Sequence, residues 1–562
     1  MSRLILLIFI FLATYAHSED PIVQISNGKI KGEMMVTPYN RSFYAFRGIP
    51  YAKPPLGDLR FQAPQKPDNW TGILNSDAKD RICIQLYSQS QPNESEDCLY
   101  IHVYTPQIPS ETQKVSLPVM YVIHGGGFAY GTPTPQELGP QYLMDYDVVV
   151  VTVGYRLGFL GFLSTGDLNC PGNYGLKDQQ FGLRWVQDNI RHFGGDPKRV
   201  TIFGESAGAV SVGLHLLGEN SEGLFIGAIQ DSGSSLANWA LQTSPKDIAY
   251  KLGKQIDSTI NENNTSTSEL VRIFRALDIP RLKKACAEVF GEGFQANYND
   301  IYQGFLLTGT IEPKHDGAFL TKSPFQSLIK GDFIKVPTLL GINSEESLFL
   351  AEDPTLEDKM AYFDQNKELY VPPNMHISDQ KTKKLVGEKI TRMYDPSGCL
   401  HQNKAISIRF FSDTSFGRPT IKQAQLQSKY SDVFFYEFGY SGKMGKQFPS
   451  PDIPGKVCHS EEMMYIFHRS DAKDIFSFQE EDRITMKRML TMWTNFVKYQ
   501  NPTPECLEIL QSTIWPKISN VDEMPYLSIN NSLEVKVNLK KQMMEGYQQL
   551  YDEYAVPPLD TY

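Results

Sequence analysis

One stretch constrains this chain more than any other. The apolar run Val200-Thr201-Ile202-Phe203 passes through Gly204-Glu205-Ser206-Ala207-Gly208 into a helical pattern that carries Val210, Leu214 and Leu217 on one face. The pattern G-x-S-x-G gains its meaning from this setting, a strand, a sharp turn and a helix. The glycines are needed because backbone crowds backbone where a Cβ would otherwise sit. The turn pushes the Ser206 hydroxyl clear of the sheet at a helix N-terminus, where developing negative charge is favoured. Upstream, the apolar run Val119 to Ile123 ends in His124-Gly125-Gly126-Gly127. Such a run lets backbone N–H groups face a ligand with no side chain in the way. That suits the oxyanion formed when an ester is attacked, and one such donor is worth about 3–4 kcal/mol.

The rest of the chain repeats the same alternation. Val148 to Val153, Val336 to Leu340 and Val433 to Phe438 are apolar runs without polar alternation. They are expected as strands of a sheet covered on both faces. Leu183, Val186, Ile190 and Phe193 step by three and four residues along one helical face. The implied fold class is α/β, a large and mostly parallel central sheet with helices on both faces. The polar segment Ser258 to Glu269 is expected to be a surface loop. Hydrophobic residues make up 41 % of the chain, too many for a disordered polymer, and the net charge of −10 argues against a nucleic-acid partner. No stretch reaches the roughly 18 apolar residues of a membrane span. P-loop, G-x-G-x-x-G and H-E-x-x-H patterns are absent, so no cofactor and no metal are implied. Nothing in the pattern fixes an oligomeric state.

A nucleophilic serine needs a base, and the base needs an orienting acid. In this motif class they follow the serine in the order acid, then histidine. The run Val336 to Leu340 leads into Gly341-Ile342-Asn343-Ser344-Glu345-Glu346, which leaves Glu345 and Glu346 both open as the acid. His459 follows the loop signal Pro454-Gly455 and is preferred modestly over His376 and His401. His215 lies on the helix behind the serine, and His468 falls in a helical pattern.

The first 18 residues have the features of a secretory signal peptide. Arg3 precedes the apolar run Leu4 to Ala13, and Ala16-His17-Ser18 offers small residues for cleavage. The expected organisation is therefore a signal peptide over 1–18 and a single catalytic domain over 19–562, exported to the extracellular space. Export makes disulfides and N-glycans possible. Glycosylation sequons begin at Asn40, Asn69, Asn93, Asn263, Asn264 and Asn530.

These residues, taken together, resemble the secreted type-B carboxylesterases, the α/β-hydrolase group that includes cholinesterases, and among them the insect carboxylesterases. The likeness runs over nearly all of residues 22 to 550. It is carried by Phe46-Arg47-Gly48-Ile49-Pro50-Tyr51-Ala52, Glu96-Asp97-Cys98-Leu99-Tyr100, Gly172-Asn173-Tyr174-Gly175-Leu176-Lys177-Asp178-Gln179 and Phe193-Gly194-Gly195-Asp196-Pro197 before the serine motif. The resemblance implies a Ser206-Glu346-His459 triad acting through an acyl-enzyme, with small-molecule esters as substrates. It implies oxyanion donors at the N–H groups of Gly126, Gly127 and Ala207, and a Cys83–Cys98 disulfide. It also implies a structural Glu96–Arg156 ion pair and an acyl-pocket role for Trp239. Ser347 departs from the glycine usual beside the acid. Cys170, Cys286, Cys399, Cys458 and Cys506 are left without assigned pairing. Two rival readings are hydrolysis of juvenile hormone, in whose enzymes Gln usually stands where this chain has Glu205, and a non-catalytic adhesion or sequestering protein on the same fold.

Overall fold

The computed structural model describes residues 20–75, 81–86, 93–290, 302, 304–445, 453 and 455–562. The proposed signal segment lies outside the described residues. Eleven strands form one sheet: β1 (Glu33–Val36), β2 (Ser42–Pro50), β3 (Tyr100–Thr105), β4 (Leu117–Ile123), β5 (Val149–Val153), β6 (Gly195–Glu205), β7 (Gly227–Asp231), β8 (Thr338–Asn343), β9 (Val433–Phe438), β10 (Pro525–Ile529) and β11 (Leu533–Val537). Their order is β11-β10-β9-β8-β7-β6-β4-β5-β3-β2-β1. The block from β10 to β5 is parallel, and antiparallel strands flank it on both sides. This is the α/β-hydrolase architecture, and the mostly parallel sheet matches the sequence expectation.

The missing polar alternation has a direct cause. In β4, Val119, Tyr121 and Ile123 enter one core with Leu183 and Val186 of α1 (Tyr174–Asn189). Met120 and Val122 enter the opposite core with Trp493 and Phe496 of a long helix, Glu480–Tyr499. Both faces are dry, so both sets of side chains must be apolar. The helix behind the serine, α2 (Ala207–His215), follows β6 directly. Among the described residues no helix is long and apolar enough to cross a membrane.

Two sequence expectations need adjustment. β7 was not anticipated, because Gly-Ala-Ile-Gln-Asp has a single β-branched residue. The polar segment is a loop only to Ser266, where the Ser266 hydroxyl accepts from the Glu269 N–H and starts a helix, Thr267–Ala276.

The parallel strands end nearly level. Gly204 pairs with Ile123, Glu205 with Asp231, Asp231 with Gly341, and Asn343 with Phe438. This shared carboxyl edge is where α/β sheets hold their ligands.

Candidate active site

Ser206 sits at the tip of β6 with φ 57° and ψ −123°, a conformation rare for a residue with a side chain. Such strain costs about 1–3 kcal/mol and must be held by the surroundings. Its N–H donates to the Asp231 carbonyl at 2.9 Å. A Cβ on Gly204 would lie 2.2 Å from the Gly208 carbonyl carbon, and one on Gly208 would lie 2.1 Å from the Ile123 oxygen. The turn is therefore tight enough to require both glycines.

The glycine run meets the serine from β4. A Cβ on Gly125 would fall 3.1 Å from the Ser206 Cβ and 2.6 Å from Glu205 Oε2. Gly126 and Gly127 hold φ of 105° and 58°, open to glycine. Ala207 is the first residue of α2, where N–H groups have no partner within their own helix. The candidate oxyanion donors thus flank the hydroxyl from two elements.

Beyond β8 and β9 the chain supplies the partners. Glu346 Oε2 lies 2.7 Å from His459 Nδ1, and the His459 N–H donates to the Glu346 carbonyl at 3.0 Å. The Asn343 N–H holds the other carboxylate oxygen at 2.6 Å. An ionised carboxylate only accepts, which puts a proton on Nδ1 and leaves Nε2 as the working nitrogen. Ser206 and His459 line one cavity of about 300 Å³ together with His124, Gly125, Gly126 and Glu205. Burial lowers the His124 imidazole to about 4, partly opposed by the Gly125 carbonyl, so it is neutral at physiological pH.

The other candidates lie apart from this group. Glu345 faces Arg409 at 3.3 Å. His401 bonds Asp364 at 2.6 Å, and His215 bonds Gln179 at 3.1 Å. Trp239 is buried and donates to the Ser415 carbonyl at 2.8 Å. It stands one ring behind Phe416, with 5.8 Å between centroids, and Phe416 lies 4.5 Å from the His459 ring. Ser347 has a negative φ of −88°, so glycine is not required there.

The Glu96–Arg156 pair is not formed. Arg156 gives Nε and Nη2 to Asp178, both at 2.7 Å, and its backbone N–H to the same carboxylate. Glu96 instead takes Arg60 through Nε at 2.8 Å and Nη2 at 2.5 Å. A planar fork matches one carboxylate bidentately, and Asp178, wholly buried on α1, is the one beside Arg156. Cys83 and Cys98 do form a disulfide, with Cα atoms 5.0 Å apart, and among the described residues the five other cysteines form none. Asn40, Asn69, Asn93, Asn263 and Asn264 are exposed, whereas Asn530 is half-buried and donates to Ser528.

A match to the family described as "Carboxylesterase family" covers residues 19–546. The chain belongs to the carboxylesterase family. It is 34% identical over 540 residues to Esterase FE4 of Myzus persicae, covering 92% of this chain and 90% of that protein. It is 32% identical over 510 residues to Juvenile hormone esterase of Tribolium castaneum, covering 86% and 84%. Among solved structures it is similar to juvenile hormone esterase from Manduca sexta with OTFP covalently attached. That likeness has a TM-score of 0.82 and 26% identity, over 95% of this chain and 100% of that one. The chain is accordingly a carboxylic ester hydrolase, and its family acts on small-molecule esters.

In this carboxylesterase the surroundings of the imidazole are acidic beyond what its motifs revealed. Glu205 Oε1 lies 3.2 Å from His459 Nε2 and also accepts from the Ser460 hydroxyl. Below the site, Asp231 accepts from Trp493 Nε1 at 3.1 Å. The Asn343 side chain donates to Glu462, and to the Cys458 carbonyl at 2.8 Å. Burial, reinforced by the charges of Glu205 and Glu346, raises the carboxyls of Asp231 and Glu462 well above their usual range. The charged forms of Asp231 and Glu462 are therefore disfavoured in this setting. Glu462 follows His459 by three residues, but no pattern in the sequence marks it as buried.

Proposed function

We propose that this protein is a secreted serine carboxylesterase that hydrolyses uncharged carboxylic esters through an acyl-enzyme. A signal peptide over 1–18 precedes one catalytic domain over 19–562. The observation that carries the mechanism is the shared cavity: Ser206 on its strained turn opens into the same space as His459, whose far nitrogen is bonded to Glu346. His459 takes the Ser206 proton as the hydroxyl attacks the acyl carbon. The oxyanion is received by the N–H groups of Gly126, Gly127 and Ala207. Glu346 fixes the tautomer and stabilises the imidazolium. The alcohol leaves with the proton, and water, activated by the same imidazole, releases the acid. An organophosphate tests this directly. Covalent label on Ser206 with loss of turnover is expected, and label on another serine overturns it. Activity rising from acid pH to a plateau near neutrality is expected, because neutral His459 is the working base.

Hydrolysis of juvenile hormone is the second reading, favoured by the relatives that carry that name. Against it stands Glu205, a carboxylate where those enzymes usually carry Gln. Turnover of juvenile hormone set beside simple aliphatic esters separates the two. Acetylcholine is expected to be a poorer substrate than its tert-butyl isostere, since the segment between Cys83 and Cys98 has no tryptophan and only Tyr87, outside the described residues, as an aromatic. A kcat/KM favouring the charged ester overturns that expectation.

A further inference from the structure

A second cavity, of about 470 Å³, lies at a helix packed beside β8 and β9, Arg418–Gln427, where it meets the helix Lys541–Tyr554 and the ends of β10 and β11. Its floor is apolar, with Ile421, Met524 and Met544, and Lys422 and Lys429 stand on its wall. Such a volume is in the range of small-molecule sites. The Lys422 ammonium is largely buried, 4.6 Å over the ring of Tyr562, and it donates to Gln548 Oε1 at 2.5 Å. An ammonium has three protons to place. Among the described residues Lys422 has no carboxylate within ion-pair distance. Lys541, by contrast, pairs with Glu545 at 3.8 Å. Burial lowers Lys422 to about 8, Asp552 opposing and Lys429 adding to the shift. Three lysines and the carboxylates of Asp522 and Glu545 thus line one cavity with an apolar floor; Glu545 takes Lys541, and Lys422 has a donor left over. An anion with an alkyl tail satisfies both features at once.

We propose that this cavity binds a linear medium-chain carboxylate, its head group between Lys422 and Lys429 and its chain along Ile421, Met524 and Met544. Ester hydrolysis releases the same chemistry, so the ligand is either the enzyme's own product or free fatty acid. The proposal does not depend on the identity of the nucleophile.

The test is calorimetric titration of decanoate into the full chain after organophosphate treatment, with labelling verified by mass. One molecule per chain is expected. Lys422→Gln weakens it at least tenfold, Lys422→Arg retains it within about threefold, and decanol binds at least tenfold more weakly than decanoate. Affinity falls as pH rises through 8, because binding favours the charged amine. The groups facing that amine are Asp552, Lys429 and Tyr562, with Lys541, Glu545 and Asp522 around the cavity. In a second arm the untreated enzyme turns over p-nitrophenyl decanoate and is analysed for retained acid. Retention assigns the source to product, and loading by added acid alone assigns it to free acid. Either supports the site. No binding in both arms, or binding unchanged in a folded Lys422→Gln variant, overturns it.

Discussion

Two buried clusters of opposite charge lie on either side of one helical rod, and they are stabilised by different physics. On the acid side, Glu205 and Glu346 flank a single imidazole, and the buried carboxyls of Asp231 and Glu462 feel the charges of both. On the basic side, Arg418 is fully buried over the rings of Tyr547, Tyr551 and Tyr562 at 4.7, 5.5 and 5.8 Å. Its guanidinium nitrogens Nε, Nη1 and Nη2 have no hydrogen-bond partner among the described residues. A carboxyl group can shed its charge by keeping a proton, and burial drives Asp231 and Glu462 in that direction. A guanidinium cannot, so it must be held as a cation, and ring faces supply the negative surface. pH therefore acts on the acid cluster through its carboxyls, whereas Arg418 keeps its charge throughout.

Removing the central pair of the acid side has the largest expected effect. Glu346→Gln is expected to lower kcat on the order of 10⁴-fold, since it reverses the tautomer of His459. Ser206→Ala and His459→Ala are expected to lose at least as much. Glu345→Gln keeps activity within about threefold, because its carboxylate faces Arg409 instead. Equal damage from Glu345 and Glu346 variants in steady-state kinetics breaks the assignment.

Stability separates the two clusters next. Glu462 binds a proton in the fold that the unfolded chain has lost at neutral pH. Its contribution is therefore present at low pH and lost as pH rises through its raised value. Glu462→Gln is expected to raise Tm at pH 8 and to leave it unchanged at pH 4. Arg418→Met is expected to stabilise by about 1–4 kcal/mol with little pH dependence, as replacing buried charge often does. A pH-dependent gain for Arg418→Met, measured by calorimetry across pH 5–9, removes the contrast.

A stability effect confined to acid pH comes from His215, which burial depresses to about 3. The unfolded chain takes up this proton below about 6.5, so stability falls from pH 6.5 towards 3 by about 1.4 kcal/mol per pH unit at most. His215→Gln is expected to flatten that slope in urea titrations, and an unchanged slope refutes the account. The smallest effect is on acyl preference. Phe416→Leu is expected to shift the kcat/KM ratio of butyrate to acetate esters by severalfold, and Trp239→Leu by less, because Trp239 stands behind it. The reverse ranking places Trp239 in the pocket itself.

The acid side was partly legible in the sequence, and the basic side was not. Ser206 announces itself because a tight turn demands glycines at fixed offsets. Glu346 opens a 3-10 helix past β8 and His459 lies in a loop past β9, where periodicity carries little information; the loop signal gives His459 a modest preference, and the resemblance singles out Glu346. The Glu96–Arg156 pairing that the resemblance implies fails for a related reason: which carboxylate a guanidinium meets is decided by packing, and here Arg156 meets Asp178. The tyrosines around Arg418 are scattered along the chain. Only the spacing of Tyr547 and Tyr551 hints at a shared helical face.

A single helical rod joins the two clusters. The rod between them runs from Lys404–Ser412 through a π-helical turn, Asp413–Gly417, into Arg418–Gln427. A π turn holds one residue more than an α turn, and each residue advances the side-chain direction by roughly 100°. Phe416 meets the imidazole and Arg418 meets the tyrosines because of that extra residue. The turn works as a phase setting: its chemical content can drift, but its length cannot. Deleting one residue ahead of Phe416 would put Gly417 where the ring now closes the site and turn Arg418 away from its tyrosines.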